Sequence, residues 1–218
     1  MQRDAFYQQL IAGGVVIESP ETTFIERGVR IASGVVIEPN NVLKGNCVIG
    51  RDVVLRAGNY IEDSNIGKRS EVIMSRMIGT SVGADVSVGP FSHLRQGAVI
   101  NDGCRIGNFV EIKNSTIGAH TKIAHLSYIG DAEVGRGVNI GCGVVTVNYD
   151  GKHKHKTVIE DHAFIGSNAN LIAPVKIGQG AVVGAGSTIT EDVPAMALAI
   201  ARARQTNKTG YRKVEMKK

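Results

Sequence analysis

Side chains able to do chemistry crowd into residues 89–157 of this 218-residue chain. There the strings GPFSHLRQG, GNFVEIKNSTIG, AHLSYIGD, GVNIG and NYDGKHKHKT set polar groups among apolar ones. An imidazole, with an ordinary pKa near 6.5, is suited to collecting a proton at neutral pH, and it is also a common metal ligand. The chain has six: His93, His120, His125, His153, His155 and His162. His153 and His155 alternate with Lys152, Lys154 and Lys156, whose charge would repel a cation. Cys47, Cys104 and Cys142 are odd in number and widely spaced, and they match no metal pattern; they read as free thiols of a reducing compartment.

What positions these groups is a period of six. An aliphatic residue returns at Ile25, Ile31, Ile37, Leu43, Ile49, Leu55 and Ile61. It resumes at Ile66, Val72 and Ile78, then at Val82, Val88, Leu94, Ile100, Ile106 and Ile112. Ile117, Ile123, Ile129, Val134, Ile140 and Thr146 follow, and Ile159, Ile165, Leu171, Ile177, Val183 and Ile189 close the series. Six is neither the 3.6 of an amphipathic helix nor a long alternation of two. It is the signature of hexapeptide β-helix repeats, in which short strands turn one aliphatic side chain into a narrow interior. The expected fold is all-β: a left-handed parallel β-helix, a triangular prism of about nine coils and roughly 43 Å.

Residues 1–13 read as a short helix with Phe6, Tyr7 and Leu10 on one side, residues 14–193 as the β-helix, and residues 194–218 as a basic arm. From Thr146 to Ile159 the period is broken, so residues 147–158 form an inserted loop, a usual place for binding groups. With three hexads to a coil, His93 falls round the prism from His120 and His125, so the histidines make no ligand set and no metal is expected.

Composition agrees. The 23 Ile and 26 Val against 7 Leu disfavour a helical bundle, because β-branched residues suit pleated backbone. Of 25 Lys+Arg against 20 Asp+Glu, seven basic residues and one acid lie in 202–218, leaving a near-neutral body. That placement argues against nucleic acid as a partner. No apolar run reaches the roughly 20 residues of a membrane span, and Arg3, Asp4, Gln8 and Gln9 do not suit a signal peptide. The expected location is the cytoplasm.

HLSYIGDAEVG, NYDGKHKHKT, GSNANLIAPVKIG, GAGSTIT and ALAIARARQTNKTGY carry a closer likeness. From about residue 14 to Gly210 the chain resembles the acetyltransferase half of the bifunctional bacterial N-acetylglucosamine-1-phosphate uridylyltransferase / glucosamine-1-phosphate acetyltransferase family, without the nucleotidyltransferase domain. The resemblance implies His125 as catalytic base, with Glu111 as the acidic residue of the active centre. It implies Arg95 and Lys113 on the phosphate side, Tyr128 and Asn139 on the sugar, and Lys154 arriving from a neighbouring subunit. Arginine can grip phosphate as a fork, whereas lysines act as point charges.

For acetyl-CoA the resemblance implies Cys142, Asn148, Tyr149, Ser167, Ala185 and Arg202. Cys142 replaces an alanine whose backbone N–H lies near the thioester carbonyl, and RQG replaces RPG after Arg95. The expected activity is acetyl-CoA-dependent N-acetylation of an amino-sugar phosphate, glucosamine-1-phosphate first, by a homotrimer with intersubunit sites. A nucleotide-linked amino sugar and a non-catalytic sugar-nucleotide-binding or assembly module remain as alternatives. So does a separate uridylyltransferase as partner.

Overall fold

The computed structural model describes residues 2–211. Arg212, Lys213, Glu215, Lys217 and Lys218 of the expected basic arm lie outside the described residues. Within them thirty short strands alternate among three parallel sheets of eleven, ten and nine strands; pairing is with the strand three places along, except that the last, Leu198–Ala199, pairs with Val182–Val183 two places back. The fold is the left-handed parallel β-helix anticipated from the repeat, with ten coils. The addition to the expected nine comes from the ends: Val16–Ile17 starts the first sheet and Leu198–Ala199, inside the stretch read as an arm, completes it.

Along each strand the aliphatic member of the hexad points inward. Ile37, Leu43, Leu55, Ile61, Leu94 and Ile112 are fully buried in one continuous core. At about 25 cal/mol per Å² of apolar surface removed from water, this column is the main stabilising term. Its polar member, Thr146, is satisfied by Gly130, whose N–H donates to Thr146 Oγ1 at 2.8 Å and whose carbonyl accepts from it at 3.1 Å.

The column needs two corrections. The inward residue of the strand Arg76–Ile78 is Met77, fully buried, while Ile78 is half-exposed. Two five-residue steps, Val72 to Met77 and Met77 to Val82, replace the assumed six and four. Ile31, near the first coil, is only partly buried.

The corners require left-handed backbone, supplied by glycine or by residues such as Asp52 (φ 59°), His120 (φ 61°) and His162 (φ 60°). Gly103 shows why the small residue is needed: a Cβ there would stand 2.3 Å from His120 Nδ1 on the next coil. The helix Gln2–Ala12 closes one end. Tyr7 is buried against the first coil, donating its hydroxyl to Thr23 O at 2.9 Å and accepting from Ile25 N at 3.0 Å.

Candidate active site

The edge where the first sheet turns into the second carries His125. Its strand, Lys122–His125, pairs with Arg105–Asn108 through Ile106↔Ile123 and Asn108↔His125. Ile123 is buried and the exposed His125 leaves the prism at the corner, with ring Nδ1 2.6 Å from Asn108 Oδ1. The registers Lys122↔Asn139, Asn139↔Phe164 and Phe164↔Val182 then stack Cys142, Ser167 and Ala185 beyond His125, one to a coil. Backbone bonds tie this column to the adjoining corner: Asn168 N–H to Cys142 O at 2.7 Å and Gly186 N–H to Ser167 O at 2.8 Å. Arg202 lies one residue along from this column, its Cδ 4.0 Å from where a Cβ on Gly186 would stand.

Round the corner, the outward face of the second sheet holds His93, Glu111 and Tyr128 as successive strand partners. Arg95 and Lys113 project from the same level two residues on. Arg95 Nη1 donates to Glu111 Oε1 at 2.7 Å. Burial pushes the half-buried His93 imidazole below its ordinary pKa; Glu111 opposes this, while Arg95 and Arg76 add to it.

The inserted loop is shorter than the gap in the repeat suggested, because Val147 and Thr157–Val158 are already strand. Residues 148–156 close on themselves through a bridge between Tyr149 and Lys154. Asp150 organises the turn. It accepts the N–H groups of Lys152 and His153, each at 2.7 Å, and sits 2.7 Å from His155 Nε2. These bonds, the His153 N–H first, hold its carboxyl down at about 2.

Asp131 clamps both ends of the loop. Its carboxylate accepts from Asn148 Nδ2 at the start and from Asn114 Nδ2 at 2.6 Å, and its carbonyl accepts Thr157 N–H at 3.2 Å at the finish. The Asn114 and Asn148 amides, then the Lys113 and Lys154 charges, hold its carboxyl below the usual value against the opposing effect of burial. Thus fixed, the loop lays Lys154 beside Lys113 of the same chain. Lys154 pushes the Lys113 pKa down, partial desolvation and Arg95 add to this, and Asp131 opposes it.

The structure therefore brings Arg95, Glu111, Lys113, Tyr128 and Lys154 to one face, and His125, Cys142, Ser167, Ala185 and Arg202 to the neighbouring edge. Lys154 lies beside Lys113 within the chain, on the loop that the Asp131 clamp folds back. Asn139 stands on the first sheet, across the corner from Tyr128. Two loop side chains are committed locally: the Asn148 amide to Asp131, and the Tyr149 hydroxyl to Gly151 O at 2.7 Å. Among the described residues no group of three or more His, Cys, Asp or Glu could hold a metal ion, and all three cysteines are free.

Sequence reasoning missed Asn108 and Asp131 and considered His93 only as a ligand. Asn108 could have been found by stepping one short coil back from His125.

A ten-coil parallel prism with a polar edge and a cationic face defines a hexapeptide-repeat protein. The family model described as "Bacterial transferase hexapeptide (six repeats)" matches residues 25–71, 79–114 and 156–191, more than half the chain. The chain belongs to that family. It is 57% identical over 204 residues to the bifunctional protein GlmU of Carboxydothermus hydrogenoformans, covering 94% of this chain and 46% of that protein. To GlmU of Shouchella clausii it is 51% identical over 215 residues, covering 98% and 47% respectively. These relatives bear out the resemblance read from the motifs, and the chain spans about half their length. A solved structure, UDP-N-acetylglucosamine acyltransferase of Francisella novicida, shares the fold with a TM-score of 0.59 at 19% identity, over 85% of this chain and 67% of that one.

Proposed function

We propose that this chain is an N-acetyltransferase that moves acetyl from acetyl-CoA to the amine of an amino-sugar phosphate, glucosamine-1-phosphate first among acceptors. The observation that carries this reading is the meeting of Arg95, Lys113 and Lys154 on the face beside the His125 edge. Clustered cations suit a phosphate, and a base one corner away suits its sugar amine. The likeness to GlmU at 51–57% identity supports the same choice.

In the reaction, His125 Nε2 takes the proton from the amine as its nitrogen attacks the thioester carbonyl. The backbone N–H of Cys142 steadies the developing oxyanion. The C–S bond then breaks, releasing CoA, with the proton passing to the thiolate. Ser167, Ala185 and Arg202 line the path of the CoA arm, Tyr128 and Asn139 contact the sugar, and Glu111 holds Arg95 and meets the acceptor.

The working form is a cytoplasmic homotrimer, in which a neighbouring copy walls the open corner between Tyr128 and Asn139; no helix among the described residues is long and apolar enough to cross a membrane. Release of free CoA from acetyl-CoA, measured over a panel of amino sugars, tests the reading. Turnover greatest with glucosamine-1-phosphate is expected. Preference for a nucleotide-linked amino sugar would move the acceptor, and no release with any amino sugar would sink the enzymatic reading in favour of a binding module.

A further inference from the structure

We propose that Asn108 is the positioning residue that fixes the tautomer of His125 and so keeps its Nε2 lone pair free to act as base, an inference that rests on His125 having that role. Asn108 Oδ1 lies 2.6 Å from His125 Nδ1. An amide oxygen can only accept, so Nδ1 carries the proton, and a neutral ring then has its lone pair on Nε2. A ring turned the other way, with Nε2 protonated, could not accept from an amine there.

The chain goes out of its way to make this contact. Among the described residues the strands Arg105–Asn108 and Lys122–His125 are four residues long, and every other strand has two or three. The last residues of these two longer strands, directly paired, are Asn108 and His125. The close approach depends on Gly107: a Cβ there would stand 1.8 Å from Ala124 O on the neighbouring strand. Asn108 is also held from behind, its carbonyl accepting Leu126 N–H at 3.0 Å. One residue thus fixes the backbone just past His125 and the ring itself.

The chemistry favours an amide over a carboxylate in this place. A carboxylate would orient the ring equally well but would stabilise the imidazolium, leaving more of the base already protonated at neutral pH. The neutral amide sets the orientation and adds no charge.

The test is ¹⁵N NMR of histidine-labelled protein, with His125 assigned by the signal lost in His125→Gln, together with kinetics. Neutral His125 is expected as the Nδ1–H tautomer in the wild type and as mainly the Nε2–H tautomer in Asn108→Ala. That variant should lose about tenfold or more in kcat with both KM values held. Asn108→Asp should keep the Nδ1–H tautomer, recover turnover at alkaline pH, and move the acid limb of kcat/KM upward. An Nε2–H ring in the wild type would overturn the proposal, as would wild-type tautomer and kcat in Asn108→Ala. Should Asn108→Ala not fold, the near-isosteric Asn108→Asp decides, an unraised His125 pKa counting against the proposal. Retained turnover in His125→Ala would remove the base assignment instead, and the tautomer spectrum separates that failure from this one.

Discussion

Two patches of the prism, one in the first coils and one at the face beside His125, handle charge differently on the same scaffold. In the first coils four cations meet an anion or a ring. Arg56 bridges Glu38 at 2.7 Å and Glu71 at 2.5 Å, Arg69 grips Asp85 through two bonds, and Lys44 and Arg76 lie over Tyr60 at 5.6 and 4.6 Å. The carboxylates raise the pKa values of Arg56 and Arg69. On the face beside His125, Lys113 and Lys154 gather next to Arg95, which is itself paired with Glu111 at 2.7 Å, and Lys154 drives the Lys113 pKa down. Self-neutralised charge decorates a surface, whereas cations pressed together await an anion.

Substitutions can break this contrast. His125→Ala, at the edge that the cationic face serves, should cost about 10²–10⁴ in turnover while leaving the fold unchanged, since the side chain is exposed. Wild-type turnover in that variant would sever the face from the chemistry. Lys113→Ala and Lys154→Ala should each raise the acceptor KM about ten- to a hundredfold, in line with a lost charge-assisted contact. Arg56→Ala and Arg69→Ala should leave it untouched, and equal effects in the two pairs would erase the distinction.

Titration sharpens the contrast further. Lys113 must be charged to hold phosphate, and its pKa is lowered in the free protein. Acceptor affinity should therefore fall as pH rises through that depressed value, earlier than an ordinary lysine allows. Lys154→Ala should move the remaining fall to higher pH, and an unmoved profile would show that the two ammonium groups do not interact. The smallest effect is expected at the clamp. Asp131→Ala should raise the acceptor KM about fivefold and lower Tm by about 2–4 °C, as its side-chain bonds to Asn148 of the loop and to Asn114 are lost.

The fold was legible because each coil places one large aliphatic side chain in a closed interior and repeats that demand. Where two apolar residues are neighbours, as at Met77 and Ile78, the period cannot tell which points inward, and the shortened steps became visible only in the register. His125, Arg95 and Lys113 could be placed because they sit inside regular coils, whose spacing fixes their facing. Lys154 could not. Its position depends on how Asp150 turns the loop and on how Asp131 holds both ends, contacts that no periodicity encodes. Asn108 escaped for another reason: asparagine is common at such corners, and only its partner distinguishes it.

The helix Gln2–Ala12, pinned by Tyr7 to the first coil, has a geometric consequence for the whole molecule. Stacked coils advance by about 4.8 Å each and touch only their neighbours. The height of His125 above that helix is therefore quantised in whole layers and its compass bearing in thirds of a revolution. Adding or removing one complete coil near the helix would change the height and leave the bearing unaltered, whereas a single extra residue in a corner could be absorbed within its own layer. The prism behaves as a ruler with discrete graduations, and chemistry mounted on it can be raised or lowered without being retuned.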